Sequence, residues 1–377
     1  MDSSQNGERS PSLGRVLGRK AIVYVGVLAF VFALLLIFNS SNASADNINA
    51  DITVDTTWDL TGSPYHIQAS IDITNDATLT IEPGVEVLFD AYYWITIGDP
   101  INGDGTLIAI GDDPISGDGP VVFSSNAGSP AAGDWGGLYF TIDQVSSQLE
   151  MCNIRYAYYA IWMEDTTITM SGLDIQDNYD DAINLYYSLG APVSLNLNAI
   201  SLINIGLDGV HAQAVDSVTV NLDGCAFIDY GNEGVFAFSN NRASINLDNS
   251  LFMGAPAFSG VRAYAAVGSY INCTDSSISR CTYLVRAETI GEIKITVDDG
   301  SSLGPTGLSG TYGIYAESWT LGNVYVTIND ASITDVETGI YAVCDNAGDV
   351  SVSITDAVFE NNVGTAIYLY TGRATWT

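Results

Sequence analysis

Gly313-Ile314-Tyr315-Ala316 and Gly339-Ile340-Tyr341-Ala342 are almost the same phrase, and seven relatives of it lie along the chain. They are Ala160-Ile161-Trp162-Met163, Ala182-Ile183-Asn184-Leu185, Gly209-Val210-His211-Ala212, Gly234-Val235-Phe236-Ala237, Gly260-Val261-Arg262-Ala263, Leu284-Val285-Arg286-Ala287 and Ala366-Ile367-Tyr368-Leu369. From Ala160 onward the nine copies begin 22, 27, 25, 26, 24, 29, 26 and 27 residues apart. A repeat of that length marks a solenoid, an array or a propeller.

Val218 to Ala237 shows what one repeat does. Val218, Val220 and Leu222 alternate with Thr219 and Asn221, so one face of a strand is apolar. Asp223-Gly224 turns the chain, Phe227 opens a second short strand, Asp229 turns again, and Gly234-Val235-Phe236-Ala237 is the third. One such coil cannot bury its own apolar face, so coils must stack, with parallel strands ~4.8 Å apart. Stacking turns equivalent positions into columns. Two inward columns are Ile168, Leu195, Val220, Ile245, Ile271, Ile295, Val326, Val352 and Met170, Leu197, Leu222, Leu247, Cys273, Val297, Ile328, Ile354. A third is Ile175, Leu202, Phe227, Phe252, Ile278, Ile333, Phe359. No helix-period segment separates the strands, which argues against leucine-rich and α/β solenoids. A propeller blade needs roughly 40 residues or more, so it is the weaker alternative.

The earlier part of the chain carries more particular motifs. These are Trp58, Gly62-Ser63-Pro64-Tyr65, Ala77-Thr78-Leu79-Thr80-Ile81-Glu82-Pro83-Gly84-Val85, Gly105-Thr106-Leu107, Phe123-Ser124-Ser125-Asn126 and Gly133-Asp134-Trp135-Gly136-Gly137. Together they resemble the N-terminal coils of exported right-handed parallel β-helix proteins with the pectin-lyase-like fold, common on archaeal and bacterial surfaces. The resemblance and the columns imply an all-β right-handed parallel β-helix with coils of about 26 residues. They imply a surface or secreted setting and no particular activity.

The termini fit that setting. Residues 1–20 form a basic segment with Arg9, Arg15, Arg19 and Lys20, and 21–38 carry no charge. Eighteen such residues are near the minimum for a membrane span and exceed the ~7–15 of a signal h-region. Residues 39–50 read as a linker, with an Ala43-Ser44-Ala45 cleavage pattern before Asp46. A cleavable signal peptide and an uncleaved membrane anchor both put the remainder outside. Residues 51–148 read as N-terminal coils with long loops, and 149–377 as regular repeats. Gly372-Arg373-Ala374-Thr375-Trp376-Thr377 looks like the opening of another coil rather than a polar cap, so further coils are expected beyond it.

Formal net charge is −33, and from Asp46 on there are 42 acids against 7 bases. Such a surface repels nucleic acid and anionic membranes and attracts cations or basic partners. It also suits salt adaptation. Five cysteines, an odd number without a C-x-x-C pair, make neither a disulfide framework nor a zinc site.

Three sets of residues are candidates for function. The first is the outward column of the phrase strand: Trp162, Asn184, His211, Phe236, Arg262, Arg286, Tyr315, Tyr341 and Tyr368. Two residues on runs Glu164, Tyr186, Gln213, Phe238, Tyr264, Glu288, Glu317, Val343 and Tyr370. Aromatic planes beside hydrogen-bonding groups suit sugar rings, so this stripe reads as a site for an extracellular polysaccharide or an envelope component. Aromatic residues also favour strands and stack for stability alone. The second set is the turn column Asn249, Asp275, Asp299, Asp330 and Asp356. Stacked carboxylates ~5 Å apart repel by about 0.8 kcal/mol in water, which Ca²⁺ would relieve. Asp and Asn are also ordinary turn residues. No other cofactor is indicated.

The third set is catalytic. The fold includes polysaccharide lyases and hydrolases, and polygalacturonase-like enzymes pair aspartates in one coil with a histidine in the next. Asp180-Asp181 followed by His211 one coil later resembles this in part, with Arg262 and Arg286 further along. The asparagine-threonine-aspartate and arginine-isoleucine-lysine motifs of those enzymes are absent. The leading expectation is therefore a non-catalytic surface or adhesion protein, with a lyase or glycoside hydrolase as its rival.

Overall fold

The computed structural model describes residues 45–372, except 114, 116, 306, 308–310 and 321 and the side chains of 255–257. The basic segment 1–20, the apolar segment 21–38 and residues 373–377 lie outside it. Among the described residues, no helix is long and apolar enough to cross a membrane.

The chain winds into the expected all-β right-handed parallel β-helix. Twelve strands, one per coil, form one sheet, and the other two strand segments of each coil merge into a 23-stranded sheet. Every pairing between named strands is parallel and links a strand to its equivalents one coil before and after. Ser217–Asp223, Ala226–Tyr230 and Glu233–Ser239 are the three strands of one coil. The first pairs with Arg242–Asp248 over seven consecutive residues, with Val220 opposite Ile245 and Leu222 opposite Leu247. Among the described residues the first strand is Asp46–Ile48, inside the stretch read as linker, and it already pairs with Tyr65–Ile67.

All three inward columns form in the register expected. From Leu195 to Val326 and from Leu197 to Ile328 their members are buried. Fully burying each such side chain contributes about 1.5–3 kcal/mol. The third column has one more member than the sequence suggested, since Leu303 sits between Ile278 and Ile333. This column also explains the glycine that opens most of the phrases. A Cβ on Gly209 would lie 2.6 Å from the Phe227 ring, one on Gly234 would lie 2.7 Å from Phe252, and one on Gly313 would lie 2.6 Å from Ile333. The ring or branched side chain of one coil fills the space where the phrase of its neighbour would carry a methyl group.

The repeated Asp and Asn at the turns have a plain backbone cause. Asn249, Asp275, Asp299, Asp330 and Asp356 adopt φ of 45°, 45°, 50°, 47° and 48°, and Asp177, Asn204, Asp229, Asp335 and Asn361 adopt 54° to 57°. Asn and Asp tolerate this left-handed region better than other side chains. All five cysteines are buried and free. In the motif Gly133 to Gly137, Trp135 is fully buried, stacks on Phe89 at 3.9 Å and donates its indole N–H to the Arg155 carbonyl.

Candidate functional site

The outward stripe is one continuous register column. Trp162 lies opposite Asn184, then follow His211, Phe236, Arg262, Arg286, Tyr315, Tyr341 and Tyr368, each paired with the next. Tyr139 extends it by one coil, opposite Trp162. Its own strand, Gly137–Phe140, follows the phrase pattern and could have been found by it. Along this column the side chains fall into three different environments.

At the C-terminal end the tyrosines stack face to face. Tyr315 and Tyr341 lie 4.9 Å apart at 6°, and Tyr341 and Tyr368 lie 5.1 Å apart at 6°. Tyr283 and Tyr312 make a parallel stack beside them. The planes that face one another are covered, so between these rings only edges and hydroxyls remain for solvent, while the terminal Tyr368 is 43% exposed. The Tyr315 hydroxyl donates to Glu317, and burial together with that carboxylate pushes the phenol well above its ordinary range.

The middle holds buried acids. Asp181, Asp208 and Glu233 each stand two residues before the inward aliphatic of a phrase, in successive coils, and are 5%, 3% and 3% exposed. Each carboxylate of the first two caps the next coil. Asp181 accepts from the Asp208 N–H at 3.0 Å, and Asp208 accepts from the Glu233 N–H at 2.9 Å. His211 Nδ1 stands 3.1 Å from Asp208 and 3.7 Å from Asp181. Burial and the neighbouring Asp208 carboxylate raise Asp181 to about 6. Burial disfavours the charged form of His211, but its bond to Asp208 and the charge of Asp181 prevail and raise it. Arg262 bridges Glu233 and the buried Glu288, and Arg286 donates to Glu288 at 2.8 Å. The two guanidinium groups lie over Phe236 and Tyr283 at 5.1 and 4.6 Å.

The geometry separates the two candidate aspartates: Asp180 faces Tyr158 and Tyr159, while Asp181 faces Asp208 and His211. The adjacent acids are Asp181 and Asp208, and Asp208 was missed because its position reads as a turn. Asp181, Asp208 and His211 also have possible metal-ligand atoms within 4.8 Å of one another. In the turn column, Asp275, Asp299, Asp330 and Asp356 are exposed and fixed by backbone conformation. Among the described residues, they form no such group.

The N-terminal end is different again. Tyr92, Trp94, Tyr139, Tyr158, Tyr159, Trp162 and Tyr179 form a cluster with centroids 5.0 to 6.5 Å apart. Its rings meet edge-on or tilted, at 31° to 84°, rather than in a stack. Trp94 lies across the backbone of Gly136, where a Cβ would come within 2.2 Å of the indole. Tyr92 and Tyr179 are 50% and 57% exposed. Burial and the Asp180 charge push the Tyr159 phenol up to about 12. Beside the cluster runs a cleft lined by Asn178, Tyr179, Asp180, Asn204 and Leu207. Of these rings, the sequence pointed only to Trp162. Tyr139 and Trp94 lie on the equivalent strands of the two preceding coils, and Tyr92, Tyr158, Tyr159 and Tyr179 come from loops and corners outside the repeated phrase.

Residues 50–148 match the family of pectate-lyase-like β-helix domains. The fold is a right-handed parallel β-helix. No curated protein matches the sequence. Among solved structures the chain is similar to the surface protein and adhesin PfbA of Streptococcus pneumoniae. Identity is 9%, with 80% of this chain and 91% of that one covered and a TM-score of 0.30. That superposition is too loose to carry a residue or a role across.

Proposed function

We propose that this β-helix is a surface or secreted protein that binds extracellular polysaccharide without turning it over, through the aromatic cluster at the N-terminal end of the stripe. The observation that carries the reading is the tilt of those rings. A sugar ring presents an apolar C–H face, which needs an aromatic face in return. Tyr92 and Tyr179 are half exposed in a cluster of tilted contacts, whereas in the Tyr315–Tyr341–Tyr368 stack the facing ring planes cover one another and only the terminal Tyr368, 43% exposed, has a face without a stacked ring among the described residues. Asp180 and Asn204 lie beside the rings as hydrogen-bonding groups for hydroxyls. The apolar segment 21–38 supports export or anchoring at the cell surface. A glycan array tests the proposal: at least one oligosaccharide retained by the native chain is lost in Tyr92→Ala/Tyr179→Ala. Retention of every such oligosaccharide by the variant would overturn it.

One observation favours a second reading, hydrolysis or elimination at Asp181, Asp208 and His211. Asp181 is raised toward neutrality, as a general acid requires. Against it, both aspartates are almost fully buried and accept backbone N–H groups of the next coil. Product release from polygalacturonate or a neutral glycan that disappears in Asp181→Asn and His211→Ala would establish the enzyme in place of the binder.

A further inference from the structure

The twelve-stranded sheet carries a second surface that the stripe does not use. Asn196, Asn221, Asn246 and Asn272 occupy one outward column in four successive coils. Their amides form a head-to-tail ladder. Asn221 donates to Asn196 at 2.8 Å, Asn246 to Asn221 at 2.7 Å, and Asn272 to Asn246 at 2.7 Å. Asn221 also reaches Ser194 at 3.1 Å. Asn196 and Asn272 are exposed and the two between them half-buried. Each amide has two N–H donors and two acceptor lone pairs. Along the helix axis each bond takes one N–H and one lone pair; Asn221 gives its second N–H to Ser194, while the second N–H groups of Asn246 and Asn272 and the remaining lone pairs are left over.

The ladder lies in a groove of about 770 Å³ that runs from Ser147 to Thr274. It crosses six coils, which at ~4.8 Å per coil makes it about 24 Å long. Its floor is uncharged: Ser194, Asn and Thr side chains, with Leu197, Leu222 and Leu247 beneath. The charged residues of its lining are Asp223 and Asp248, both exposed at one edge. No cation lines it among the described residues.

We propose that this groove binds an extended, neutral polysaccharide strand lying along the helix axis. A row of amide donors and acceptors repeating once per coil suits a polymer with hydroxyls at every residue. The acids at the edge repel uronic or sulfated chains. A flat protein partner would have to satisfy the leftover amide groups inside a recess, which a thin chain of hydroxyls does directly. The site lies on a different sheet from the aromatic cluster and does not depend on it. With both occupied, one rigid rod would hold two glycan strands.

The test uses an array of neutral, amino and uronic oligosaccharides and three variants of the native chain. Asn198 is exposed, lines the groove and makes no side-chain bond in the ladder, so Asn198→Trp fills the groove without cutting it. Asn246→Asp interrupts the ladder with a charge. Tyr92→Ala/Tyr179→Ala removes the rings of the aromatic cluster, so that binding surviving in it belongs to the groove. The expected result is retention of neutral oligosaccharides by the Tyr92→Ala/Tyr179→Ala variant. Adding Asn198→Trp or Asn246→Asp to it then lowers affinity at least tenfold. Circular dichroism and sedimentation establish that the variants are folded. Neutral binding that is absent in Tyr92→Ala/Tyr179→Ala, or unchanged when Asn198→Trp is added, overturns the groove and leaves the cluster proposal standing. Dimerisation of the native chain that Asn198→Trp abolishes would assign the groove to a second copy and also overturn it.

Discussion

Tyr315 and Tyr341 lie ring over ring, with centroids 4.9 Å apart and planes 6° apart. That relationship decides how the stripe is used. A column of identical aromatics at the coil repeat turns its faces toward its own neighbours. The coil spacing is close to the distance at which rings stack, so regularity itself removes the faces a ligand would need.

Tyr341→Ala should therefore act on stability rather than on binding. It removes two stacked partners, Tyr315 and Tyr368, each worth about 0.5–1.5 kcal/mol beyond area burial. The expected loss is about 1–3 kcal/mol. Because coils of a solenoid open locally, hydrogen exchange in Val324–Asn329 and Thr338–Cys344 should report it better than a global melt. Glycan retention should not change.

Arg262 is the counter-charge for two buried acids, Glu233 and Glu288, at 3.3 and 2.9 Å. Arg262→Ala strands both, and breaking such a pair costs about 3–5 kcal/mol. Arg286 still faces Glu288, which places the expected loss at the lower end. Glu233 is left without a guanidinium, so adding Glu233→Gln should recover part of it. Urea denaturation of the single and double variants measures the coupling.

The acid column makes stability pH-dependent. Asp181 is raised from 3.8 to about 6, so between those values the folded chain holds a proton the unfolded chain has released. Stability then falls as pH rises through that window, by on the order of 3 kcal/mol. His211, also raised, adds stability that is present below its unfolded value and lost as pH rises through the folded one. Both changes run the same way. Melting temperatures from pH 4 to 8 should decline, and Asp181→Asn should flatten the part below pH 6.

The turn column should respond to backbone chemistry. Asp330 has φ of 47°. Asp330→Gly should leave stability within a few tenths of a kcal/mol, while Asp330→Val should cost about 1–2 kcal/mol from the left-handed conformation. A melting temperature that rises with added Ca²⁺ and falls with EDTA would instead give the column a metal-binding role.

The inward columns were legible in the sequence because alternation and a near-constant repeat together locate a side chain. Leu303 escaped because the coil holding it is stretched, with 29 residues between Leu284 and Gly313. Asp208 and Glu233 escaped for another reason. Whether the residue before a phrase is buried depends on the angle at which the chain enters the strand, which no alternation encodes. The stripe was legible as a column, but ring orientation was not. Tilt at Tyr158 and Trp162, and stacking at Tyr315 and Tyr341, follow from neighbours in other coils. The aromatic cluster is gathered from Tyr92, Tyr158 and Tyr179 outside the repeated phrase, so no periodic reading could assemble it.

The most direct measurement is affinity electrophoresis or calorimetry with array-selected oligosaccharides, comparing the native chain, Tyr92→Ala/Tyr179→Ala and Tyr341→Ala. With Asn198→Trp in every background, the groove on the other sheet is closed and the stripe is read alone. The account predicts at least a tenfold loss in Tyr92→Ala/Tyr179→Ala and none in Tyr341→Ala. Loss in Tyr341→Ala with full affinity in Tyr92→Ala/Tyr179→Ala would contradict it.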